Sequence, residues 1–229
     1  MSLLNAQLLV VTATQQFDAM QLPPAADKAR LSTFITDAGR AIGSAFGQWQ
    51  QMASLANVTI NGPVAMGGRI VGPSVEALIM APLAATYPNL GKAVAAAVSE
   101  QFARFCQLVT VPGLPWYPMF GAYPGPIAPP TPNMPAPFTA IAAAGRAMMT
   151  SSQLSQAYAI RQPANAPAGA TEAVDALMRS LDQQFSVWLT TTMVTNVLGS
   201  GPVPAFAPPN VPVGAVMGGV GNMMPGGFA

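Results

Sequence analysis

Between Pro112 and Pro137, ten of 26 residues are proline. Each proline fixes φ and lacks an N–H, so such a stretch is barred from helix and from the interior of a sheet. The conformation this density favours is extended, polyproline II-like chain. The stretch carries no charge, yet it holds Trp116, Tyr117, Phe120 and Tyr123. Solvated linkers are polar and charged. Residues 112–137 are therefore expected to be an extended arm lying along an apolar surface. A second Gly/Pro-rich stretch, 199–229, ends the sequence, and no residue after Asp182 is charged. It is read as a C-terminal arm with Phe206 as its anchor.

The remaining sequence has helical periodicity. The stripe Leu31, Ile35, Ala38, Ile42, Phe46, Trp49, Met52 steps by three or four and predicts a long helix over about 25–55. Val94, Val98, Phe102, Phe105 and Val109 predict a second over 90–109, and Val174 to Trp188 a third over 171–195. Residues 1–20, 74–86 and 138–160 read as weaker helices. Val58-Thr59-Ile60 is β-like, and the Gly-rich stretch to Pro73 reads as loop or a short hairpin. The resulting fold class is mainly α, with about three long amphipathic helices, extended Pro/Gly-rich arms and little β. The expected organisation is a helical body over 1–111, the proline arm over 112–137, a helical segment over 138–198 packing on the body, and the arm 199–229.

Each strong helix carries two aromatics three apart: Phe46 and Trp49, Phe102 and Phe105, Phe185 and Trp188. Each then runs into a Val/Thr stretch and a Gly/Pro turn. The spacing between the three copies is unequal, so no regular solenoid is implied. The aromatics read as core or interface anchors.

Composition excludes several chemistries. The 229 residues include no histidine and one cysteine, Cys106. Ser-His-Asp and Cys-His catalysis, histidine-ligated metals and an internal disulfide are thereby ruled out. The Gly-rich segments lack the strand-to-helix context of a phosphate loop. No catalytic, cofactor-binding or metal-binding residue is assigned, and no small-molecule substrate is inferred. Nine basic residues against eight acidic ones, without a K/R-rich run, argue against nucleic-acid binding. No apolar run reaches the length of a transmembrane span. The N-terminal residues lack the basic region of a signal peptide, so synthesis in the cytoplasm is expected.

Only 7% of residues are charged, where soluble domains carry roughly a quarter. Several of these charges have an opposite partner one helical turn away, as with Glu100 and Arg104. Arg69, Arg146 and Arg161 have none. They are expected either to pair at longer range, with Glu76 for example, or to meet acids and carbonyls of another subunit. An isolated monomer with so few charges would expose large apolar patches, which normally mark interfaces.

The expected function is that of a non-enzymatic, self-assembling structural subunit. Its assembly would be a large particle or tube, such as a virion, a phage-tail-like object or another bacterial nanostructure. Its partners would be copies of itself and other structural subunits. Trp116, Tyr117, Phe120, Tyr123 and Phe206 would fasten the arms to neighbours, and loss of 199–229 would leave a folded helical body that no longer assembles. The alternative is a membrane-active or secreted host-interacting protein with an apolar inserting tail.

Overall fold

The computed structural model describes residues 3–115, 127–142, 144–203, 206–207, 211–212 and 214–229. The chain begins with α1 (Ala6–Asp18) and α2 (Lys28–Met52). A hairpin follows, β1 (Ser54–Asn61) and β2 (Val64–Val71), then α3 (Val75–Leu83), α4 (Pro88–Leu108) and β3 (Val111–Pro115). Beyond residue 126 come β4 (Ile127–Pro132), β5 (Ala136–Pro137), α5 (Thr139–Ala142), a 3₁₀ turn at Arg146–Met149, α6 (Ser151–Ala159) and α7 (Ala170–Thr191). The chain ends with β6 (Met193–Val194), β7 (Val197–Pro202), β8 (Phe206–Ala207), β9 (Val211–Pro212) and β10 (Met217–Met223).

The three long helices form where the apolar stripes predict them. Asp27 caps α2 by accepting from the Arg30 N–H, and Pro88 opens α4 at a position where its missing N–H costs nothing. Every stripe residue of α2 is buried except Met52, which is half exposed. The six aromatics of the paired motifs converge. Phe46 and Trp49 each lie 4.7 Å, ring centre to ring centre, from Phe102. Phe105 is 5.0 Å from Phe185, and Phe46 is 5.9 Å from Trp188. Most of these contacts are edge-to-face, the geometry aromatic quadrupoles favour.

Helix α1 packs on both α2 and α7. Its close approach to α2 depends on Gly43, where an added Cβ would lie 2.4 Å from the Ala6 Cβ. From the other side the buried hydroxyl of Ser180 on α7 donates to the Leu9 carbonyl at 2.7 Å.

The fold class differs from the expectation. Helices take 52% of the structure and strands 22%, and six strands form one antiparallel sheet, so the chain is mixed α/β and not mainly α with little β. The strand order is β3-β2-β1-β10-β7-β4. Residues expected as arms supply two of these strands, β4 and β10, and most of two others, β3 and β7. The reason lies in how Pro and Gly are distributed. Pro112 and Pro115 are in β3, and Pro129, Pro130 and Pro132 in β4, the two edge strands, where a missing N–H breaks no interior ladder. Most strand glycines lie in the interior strands β2, β7 and β10. An added Cβ on Gly201 of β7 would sit 2.4 Å from the Gly219 Cα of β10, so these two strands touch backbone to backbone.

The last residues are equally integrated. Met193 and Ala229 exchange two backbone hydrogen bonds, and Thr195 N–H donates to the Gly227 carbonyl. Phe228 is fully buried, stacked on Trp49 with ring centres 5.8 Å apart and tilted against Phe138 at 4.8 Å.

Candidate interaction surface

The sheet has one face in the core and one outside. Leu55, Val58, Ile60, Ala65, Val197 and Met223 are buried and continuous with the helical core. Leu55 and Val58 share the inner face although they are three apart. The left-handed backbone at Asn57 (φ 59°) shifts the alternation there, and Asn222 Oδ1 on β10 accepts from the Asn57 N–H.

The intervening residues make the outer face. Across four strands the register aligns Met66, Thr59, Val220 and Ser200 in one row. Val71, Met66, Met217 and Val220 remain 41–53% exposed, unusually open for large apolar side chains on one sheet. Arg69, exposed on β2, is the face's one charge among the described residues.

A second apolar surface runs along α1. Leu3, Leu8 and Val11 are exposed there. A shallow groove of about 500 Å³ beside them is lined by Ala6, Gln7, Val10, Val11 and Arg40.

Concavities elsewhere are small. A cleft of about 190 Å³ lies at the start of α4, between Arg30, Tyr87, Asn89 and Asn165. The Tyr87 hydroxyl donates to Asp37 at 3.3 Å, and burial, followed by that carboxylate, raises its pKa. Another of about 270 Å³ is lined by Trp49, Ser74, Ser99, Phe102 and Cys106. Burial pushes the Cys106 thiol up to about 12, so it is protonated at neutral pH and a poor nucleophile. Among the described residues no three His, Cys, Asp or Glu side chains are grouped to hold a metal ion. No helix is long and apolar enough to cross a membrane, again among the described residues.

The residues singled out from the sequence fall in different places. Trp116, Tyr117, Phe120 and Tyr123 lie outside the described residues. Their flanks, Pro115 and Ile127, sit on opposite edge strands but at the same end of the sheet, since Pro115 aligns with Val64 and Ile127 with Pro202. Phe206 lies in β8, aligned with Pro212 of β9. Arg146 pairs within the chain with Asp182 of α7, donates through Nε to Ser186 at 3.0 Å, and lies 5.9 Å over the Phe185 ring. Arg161 pairs with Glu100, which also holds Arg104 at 2.5 Å. The partners of both arginines are thus long-range and intrachain.

Nothing in the sequence marks Met66, Met217 or Val220 as surface residues, and Thr59 is marked only as part of the β-like Val58-Thr59-Ile60. The alternation in Val58-Thr59-Ile60 is short and bounded by Asn57 and Asn61, and that around Val220 is hidden between Gly219 and Gly221. No family model matches the chain, and neither a curated protein nor a solved structure is found to resemble it.

Proposed function

We propose that this protein is a non-enzymatic structural subunit that assembles with copies of itself into a larger particle or tube. The observation that carries the reading is the presence of two separate apolar surfaces, the outer sheet face and the α1 groove, on a chain with 7% charged residues. One such surface can close a dimer. Two can propagate an assembly, because each copy then contacts more than one neighbour. The proline-bearing edge strands fit the same reading, since they block uncontrolled edge-to-edge sheet extension and leave the faces to define the contacts.

The test is light scattering of the purified chain in detergent-free buffer, followed by negative-stain imaging. The expected result is a discrete species many times the 23.5 kDa chain mass, with a repeating shape. A monodisperse monomer at tens of micromolar would overturn the proposal.

A further inference from the structure

We infer that the outer face of the six-stranded sheet seats a second copy of this chain, packed sheet against sheet. The inference rests on the assembly reading above and names one contact that the reading needs.

The chemistry of the face selects the occupant. Met66, Thr59, Val220 and Ser200 form a cross-strand row, with Val71 and Met217 beside it. One charge, Arg69, cannot recruit a nucleic acid or a charged protein by electrostatic complementarity. The cover such a face requires is partly apolar and nearly free of charge, and the face itself has those properties. Methionine at its margins adapts to an imperfect fit.

The extent is sufficient. Six strands about 4.8 Å apart and roughly seven residues long, at about 3.3 Å per residue, present roughly 600 Å². Two such faces together remove roughly 1,200 Å² from water, the lower limit for a stable, specific interface. The edges are a poor competing route for a second sheet, because their prolines remove donors that a new ladder would need.

The arrangement is isologous, so each copy contributes the same patch. A two-fold axis running along the strands between β1 and β10 lays β2 of one copy over β7 of the other. Each Arg69 then meets the Ser200 side of the opposite sheet and not its own counterpart.

The full-length chain carrying Val220→Lys and Met66→Lys tests this. Both side chains are exposed, so circular dichroism and melting should match the wild type. The expected result is at least a twofold drop in mass by light scattering at tens of micromolar. Leu8→Lys, on the α1 surface, should leave at least a dimer. If the sheet variant keeps the wild-type mass, the face inference is overturned and the assembly reading stands. A wild type that is only a dimer, reduced to monomer by the sheet variant, supports the inference and ends the reading of a larger assembly. A monomeric wild type overturns both, and flotation of that monomer with phosphatidylcholine vesicles, lost in the sheet variant, would give the face to a lipid surface. Should the double variant fail to fold, crosslinking decides: in a Cys106→Ala background, a short bismaleimide should join Val220→Cys chains into dimers but not Val187→Cys chains, and equal yields overturn the inference.

Discussion

The indole N–H of Trp188 donates to Gln50 Oε1 at 2.9 Å, while Nε2 of the same amide donates to the Phe228 carbonyl at 2.8 Å. One buried glutamine therefore ties α2 to α7 and to the C-terminal residues. Removing its amide orphans a donor and an acceptor in the core, each at about 1–3 kcal/mol. Gln50→Leu is expected to lower the stability by about 2–4 kcal/mol, read from urea unfolding. In a double-mutant cycle with Trp188→Phe the losses should be non-additive, because the two side chains share one bond. Strict additivity would show that the bond contributes nothing.

The second prediction concerns the tail. β10 lies between β1 and β7 in the interior of the sheet, and Phe228 packs against Trp49 and Phe138. Deleting 199–229 removes an interior strand and opens the aromatic cluster. The truncated chain should lose cooperative thermal unfolding, in contrast to the folded body that composition alone suggests. Phe228→Ala by itself should cost about 3–5 kcal/mol, the usual range for a buried phenylalanine. A truncation that melts like the full chain would contradict the role of β10.

The helical stripes were legible because an apolar residue at every third or fourth position has one economical explanation, and the aromatics of Phe46, Phe102 and Phe185 do meet. The sheet was hidden because its local signals oppose it. Gly219 and Gly221 have poor intrinsic strand preference, yet they permit the close backbone approach of β7 and β10. Pro129 and Pro130 read as strand breakers, and only the strand order shows that they occupy an edge. The partners of Arg146 and Arg161, Asp182 and Glu100, are far away in sequence, so no local spacing rule finds them. The outer sheet face was invisible for the same reason: it exists only once the register is known.

The third prediction tests the seat of α1. An added Cβ on Gly43 would meet Ala6 at 2.4 Å, with the Ala6 Cα at 2.9 Å behind it, so neither atom can swing aside. Gly43→Val should displace α1 and expose its amides. Hydrogen exchange should show the protection of residues 6–18 falling at least tenfold, while the sheet amides keep theirs. Gly47→Ala is the control, because its nearest neighbour is the flexible Leu3 Cδ2 at 3.7 Å. Unchanged protection of α1 in Gly43→Val would remove the close-approach argument.

The last prediction is a loss of stability in alkali. Burial raises the Cys106 thiol from 9.0 to about 12. Burial, with the nearby Asp175 carboxylate second, raises the Tyr158 phenol from 10.0 to about 12. Burial raises Tyr87 as well, helped by Asp37. In each case the folded state holds its proton to higher pH than the unfolded chain. The unfolded state then binds fewer protons, so the unfolding free energy falls with rising pH. The contribution of these groups is fully present below about pH 9 and is lost progressively as pH approaches 12. Urea midpoints should therefore decline across this window. Cys106→Ala should remove the part of the decline that begins near 9, and Tyr158→Phe the part that begins near 10. Among the described residues the phenol oxygen of Tyr158 has no hydrogen-bond partner, so Tyr158→Phe should cost little at neutral pH. A midpoint that stays flat throughout the window would show that neither group is held neutral by the core.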